Sequence, residues 1–168
     1  LGKNIMNKVK VFIIPFFIIL IIIFILLNLN KNDKSKIKIQ YNEIPISIFE
    51  IPDFINNKTI DTELRKNPYI INFFASWCGP CLAEHPILMN LKEKGVKIIG
   101  INFRDDENNL REWLKNNGNP FEYIIIDNGD IAFELGLIGV PETYFIKKDK
   151  IFNKIQGPLF EDDIEKFL

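Results

Sequence analysis

Apolar and polar positions divide the chain into three zones. The first holds an uncharged run over 11–27, built from Ile, Phe and Leu with Pro15 near its start. Extended to Leu29, it is long enough to cross hydrocarbon as a helix rising roughly 1.5 Å per residue. A cleaved secretory signal has a shorter apolar core and a small-residue cleavage site, and Asn28-Leu29-Asn30-Lys31 offers none. The pattern therefore predicts an uncleaved transmembrane signal anchor over 11–29, behind a short cytoplasmic N-terminus over 1–10. Lys3, Lys8 and Lys10 on one side are balanced by Lys31, Lys34, Lys36 and Lys38 on the other, so charge alone does not orient it. The second zone, 30–43, is rich in Lys and Asn without periodicity and reads as a flexible tether.

The third zone, 44–168, is patterned as a globular domain. Apolar runs over 69–75, 96–103 and 121–126 read as strands buried on both faces. Between them lie helical segments. One covers 82–94 and stops at Gly95. Another covers 105–115, with Asp105 or Asp106 as cap, Leu110, Trp113 and Leu114 on its apolar face, and Gly118 at its end. A short helix over 131–135 precedes a hairpin, 142–147 with 151–155, turning at Lys148-Asp149-Lys150, and a last helix covers 160–168. Ahead of the first buried strand, 46–51 reads as extended and 59–66 as a short helix. Strands alternating with helices, then a hairpin and a helix, predict an α/β three-layer sandwich with a mixed central sheet. About 125 residues suffice for one core.

Composition narrows the chemistry. With 21 basic and 22 acidic side chains the formal charge is -1, and nothing in that balance points to nucleic acid. The chain has two cysteines and one histidine, too few for a four-ligand zinc site, so no metal is expected. Both cysteines fall in Trp77-Cys78-Gly79-Pro80-Cys81, between the first buried strand and its helix. At i and i+3 on a first helical turn they share a face, close enough for a disulfide. A bond there would close almost no loop, so as a structural staple it has little entropic value. Unpaired N–H groups and the partial positive charge of the helix N-terminus stabilise a thiolate on Cys78. These features make Cys78 the expected exposed nucleophile and Cys81 the resolving thiol of a thioredoxin-like redox motif that needs no cofactor beyond the cysteine pair. Glu84, i+3 from Cys81, lies on the same helical face. His85 reads as a packing residue, and Pro86 is expected to kink the helix. Taken alone, Pro141 reads as an ordinary trans proline opening a strand.

Four stretches carry a resemblance: Trp77-Cys-Gly-Pro-Cys-Leu-Ala-Glu-His-Pro86, Gly95-Val-Lys-Ile-Ile-Gly-Ile-Asn102, Trp113-Leu with Gly118-Asn-Pro-Phe121, and Gly139-Val-Pro-Glu-Thr-Tyr-Phe145. From about Ile44 onward the chain resembles the thioredoxin superfamily. Within it, the chain is similar to the membrane-anchored cytochrome c biogenesis thiol:disulfide oxidoreductases of the CcmG/DsbE type. Tyr144 stands where that family usually has Phe, and Asn72 where thioredoxins carry a buried aspartate. The resemblance implies a cis Pro141 whose loop faces the cysteines, exposing the Val140 backbone to substrate, with Trp77 shielding the disulfide. It also implies catalytic carboxylates at Glu84 and Glu142. The implied activity is reduction of the disulfide in the CxxCH haem-binding motif of apocytochrome c. An upstream membrane thiol-disulfide carrier would supply electrons, and the domain would face the periplasm from the bacterial inner membrane. A broader extracytoplasmic reductase, a thiol peroxidase and a non-enzymatic apocytochrome-binding adaptor remain as alternatives.

Overall fold

The structure, a computed structural model, describes residues 16–23 and 43–164. Residues 16–23 are helical, and among the described residues no helix is long and apolar enough to cross a membrane. The remainder of the expected anchor, and the tether before residue 43, lie outside the described residues. The chain divides after Gln40 into two units, and the second contains all the elements named below.

Its elements run α1 (Ser47–Glu50), a single 3-10 turn (Leu64–Lys66), β1 (Tyr69–Phe74), α2 (Gly79–Glu93), β2 (Lys97–Phe103), α3 (Glu107–Asn117), β3 (Tyr123–Asp127), α4 (Asp130–Glu134), β4 (Glu142–Lys147), β5 (Lys150–Gln156) and α5 (Glu161–Ile164). The strands form one sheet in the order β3-β2-β1-β4-β5. β1, β2 and β3 are mutually parallel, whereas β4 runs antiparallel to β1 and β5 antiparallel to β4. The expected mixed sheet is what forms.

Alternation along β1 sends Ile71 and Phe73 to one face and Ile70, Asn72 and Phe74 to the other. The first face packs Ile48, Phe49, Leu64, Ile131 and Leu135 beneath α1, the 3-10 turn and α4. The second packs Leu88, Leu91, Leu110 and Trp113 beneath α2 and α3, and contains both cysteines. Three layers result. Gly100 in β2 allows its strand to approach the stacked Phe74 and Phe121 rings, since a Cβ there would sit 2.7 Å from Phe121. At the outer edge of the sheet, Asp53 accepts from the Ile124 N–H at 2.6 Å while the Phe54 N–H donates to the Ile124 carbonyl, which covers β3.

Local chemistry moves several boundaries. The stretch expected as an extended segment over 46–51 is instead helical at Ser47–Glu50. Pro45 opens a turn whose carbonyl takes the Ile48 N–H, and the adjacent pair Ile48 and Phe49 is buried together. Of the helix expected over 59–66, only the 3-10 turn forms. The active-site helix starts at Gly79, three residues earlier than the apolar pattern suggests, because Cys78 itself caps it. Asp106, not Asp105, caps α3, accepting from the Asn108 and Asn109 N–H groups. The last helix is Glu161–Ile164, and residues 165–168 lie outside the described residues.

Candidate active site

Cys78 sits in extended backbone (φ -89, ψ 104) at the N-cap of α2, and its Sγ accepts the Cys81 N–H at 3.1 Å. The two sulfurs are bonded to each other, with Cα atoms 5.3 Å apart. In this oxidised form Cys78 is 4% exposed and Cys81 2%, so the expectation of an exposed Cys78 is not met here. The reason is packing: the bonded pair turns inward against Phe74, Ala75 and Leu88. Gly79 and Pro80 lie at the surface above it, and Trp77 beside it is 60% exposed.

The turn that delivers Cys78 from β1 is tethered to the end of β2. Asp105 accepts from the Ser76 N–H at 2.5 Å, the Ser76 hydroxyl at 2.7 Å and the Asn102 amide at 2.8 Å. Trp77 Nε1 donates to the Arg104 carbonyl at 3.1 Å, so the ring is held at its edge while its face stays open. Sequence reasoning missed Ser76, Asn102 and Asp105 in this role. Asp105 was visible only as a helix-cap candidate.

Glu84 is 1% exposed. Its carboxyl accepts from Asn72 Nδ2 at 2.8 Å and from the Leu159 N–H at 2.8 Å. Burial pushes its pKa up to about 7, against the two donors that pull it back. Asn72 Nδ2 also lies 2.9 Å from Thr143 Oγ1, so the residue standing in the usual aspartate position is a donor bridge from β1 to α2 and β4. One turn separates Glu84 from Cys81, and both are buried on the same side of α2. A disulfide at a helix N-terminus beside a carboxyl that titrates near neutrality can exchange two electrons and move a proton in the same step.

The Val140–Pro141 peptide is cis. The Pro141 carbonyl accepts the Gly157 N–H at 2.9 Å, so the segment 157–159 touches both this loop and Glu84. Glu142 needs a correction. Its register partner is Phe73, whereas Thr143 is paired with Asn72, so alternation puts Glu142 on the sheet face opposite Glu84 and the cysteines. There it is fully buried in an ion pair with Lys154 at 2.5 Å, a residue the sequence reading did not single out. Of the two carboxylates the resemblance implies, Glu84 lies on the cysteine face and Glu142 does not.

His85 is buried edge-on to Trp113 at 4.5 Å. Its Nε2 meets the Asn117 carbonyl at 2.9 Å, and an acceptor there means this nitrogen donates. Burial lowers its pKa, partly countered by that bond, and the ring packs against Trp113 as expected. Pro86 lies inside α2.

Comparison with known proteins agrees with this geometry. The Redoxin family model matches residues 49–166. The chain is 37% identical over 127 residues to the thiol:disulfide interchange protein DsbE of Pseudomonas fluorescens biotype C, covering 71% of each chain. It is 38% identical over 109 residues to the thiol:disulfide interchange protein HelX of Rhodobacter capsulatus, covering 63% of this chain and 62% of that one. Among solved structures, StoA from Bacillus subtilis shares the fold with a TM-score of 0.59 at 21% identity, over 69% of this chain and 92% of that one. With a disulfide whose first cysteine caps a helix, a thioredoxin-like fold and these relatives, the chain belongs to the Redoxin family, among thiol:disulfide interchange proteins of the DsbE type, and is a thiol:disulfide oxidoreductase.

Proposed function

We propose that the protein works as a reductant of the CxxCH disulfide in apocytochrome c, tethered to the bacterial inner membrane through residues 11–29 with its domain in the periplasm. The observation that carries the exchange chemistry is Glu84, a carboxyl buried on the helical face of Cys81 where it can take up that thiol's proton, and the reducing direction rests on the resemblance. The substrate class rests on the likeness to the cytochrome c biogenesis group, whose Gly-Val-Pro-Glu-Thr stretch recurs at 139–143.

In this reading Cys78, reduced, attacks one sulfur of the substrate disulfide as the thiolate. A mixed disulfide forms and the other substrate sulfur leaves, taking up a proton. Glu84 then accepts the proton of Cys81, whose thiolate attacks Cys78 Sγ and releases the second substrate thiol. The substrate gains two electrons and two protons, and the Cys78–Cys81 disulfide of the present structure is the product state. An extended substrate segment pairs with the Val140 backbone beside Pro141 and lies against the open face of Trp77. An upstream membrane dithiol carrier restores the reduced pair.

The test is maturation in cells that lack the chain. We expect c-type cytochrome haem staining to return with the wild type and not with the Cys78→Ser/Cys81→Ser double variant. Full rescue by the double variant would establish the non-enzymatic adaptor instead. Normal staining in cells without the chain would point to the broader reductase.

A further inference from the structure

A buried polar cluster on the far face of the sheet is not used by the cysteine chemistry. Lys154 on β5 is only 8% exposed at its side chain, and Glu142 on β4 is 0%. Lys154 Nζ lies 2.5 Å from Glu142 Oε1, donates to the Gly136 carbonyl at 2.9 Å, and sits 4.8 Å from the centre of the Tyr144 ring. The second Glu142 oxygen accepts the Ile138 N–H at 3.3 Å. The Tyr144 hydroxyl meets Glu142 Oε1 and lies 3.2 Å from the Leu135 carbonyl. Side chains of two strands thus hold three backbone points at 135, 136 and 138. That stretch runs directly into Val140 and Pro141.

We propose that Lys154, Tyr144 and Glu142 are positioning residues that together set the register of the loop receiving substrate. The inference rests on the reading that an extended substrate pairs with Val140. Two features favour positioning over mere stability. A buried ion pair is often replaceable by apolar side chains without loss of stability, so one that bonds loop backbone at both ends is explained by geometry. The loop it holds also presents Ile138, 73% exposed, with its N–H fixed and its side chain free to meet a partner. Glu142 is then an anchor on the far face, and Glu84 alone handles the proton of Cys81.

The experiment compares the wild type, Lys154→Arg, Tyr144→Phe and the double variant Glu142→Gln/Lys154→Met. The double variant removes both charges together, so no unpaired charge is left buried if Lys154→Met alone fails to fold. Substrates are an oxidised CxxCH peptide, an oxidised CxxC peptide of unrelated sequence, and glutathione disulfide, which has one residue on either side of its cysteine and no extended run to lie along the loop. We expect the double variant to raise KM for both peptides about tenfold with kcat within about twofold, the signature of lost binding rather than lost chemistry. Tyr144→Phe shifts KM in the same direction by less, and Lys154→Arg stays near wild type. Reduction of glutathione disulfide and the pH profile of Cys78 alkylation should not move. An unchanged peptide KM overturns the proposal, as does an equal loss on glutathione disulfide. A shifted alkylation profile would return Glu142 to the cysteine chemistry and also overturn it. A wild type that reduces neither peptide overturns the functional reading and this inference together; one that reduces both, with an unmoved double variant, overturns only the clamp.

Discussion

Burial raises the Glu84 carboxyl from 4.5 to about 7, so the folded protein retains a proton there that the unfolded chain has already released. Between those two values the native state binds more protons than the unfolded one, and stability therefore falls as pH rises across that window. The full penalty, on the order of 3 kcal/mol, is present above the folded value. His85 acts in the opposite sense: its lowered pKa means stability is lost as pH falls below its ordinary 6.5. Measured on the oxidised protein, where the cysteines do not titrate, Glu84→Gln should abolish the falling limb and leave the rising one. Chemical denaturation at closely spaced pH values checks this, and parallel curves for wild type and variant would remove Glu84 as a buried titrating group. Cys78, Cys81 and Glu84 were all legible as residues, because helical spacing alone groups them. Lys154 was not, since a lysine in a hairpin reads as solvated until the register opposite Tyr144 shows where it points.

At the scale of elements, two adjacent aspartates make a sharp comparison. The Asp106 side chain caps α3, accepting from the Asn108 and Asn109 N–H groups, so Asp106→Ala should cost about 1 kcal/mol of stability and leave disulfide reduction unchanged. Asp105 joins Ser76 to Asn102, so Asp105→Ala should cost about 1–3 kcal/mol by leaving those donors unpaired. It should also slow reduction of peptide disulfides, because the turn carrying Cys78 is freed. Urea denaturation and steady-state turnover separate the two, and equal activity in both variants would dissociate the Asp105 tether from catalysis. The strands and main helices were readable from uninterrupted apolar runs and from glycine stops such as Gly95, which adopts φ +83. α1 was not, because Ile46-Ser47-Ile48 alternates like a strand and only the turn after Pro45 reveals a helix. The Asp105 tether was equally hidden, since it spans residues 29 apart in sequence.

For the whole molecule, the sheet separates the cysteine pair on one face from the proposed clamp of the loop before Pro141 on the other. The cysteines, Asn72 and Glu84 share the first; Glu142, Tyr144 and Lys154 share the second. The proposed tether adds location. A phosphatase reporter fused after Leu168, active only outside the cytoplasm, should be active, and activity of a cytoplasm-only reporter at the same position would contradict the proposed orientation. The central claim, that Cys78 attacks and Cys81 resolves, is tested most directly by trapping. Reduced Cys81→Ser protein is mixed with an oxidised CxxCH peptide, quenched in acid and weighed intact by mass spectrometry. The account predicts a one-to-one mixed disulfide through Cys78 that persists, while reduced wild type passes through it to released dithiol peptide and Cys78→Ser forms none. A stable adduct on Cys81 in the Cys78→Ser protein, with none in Cys81→Ser, would contradict it.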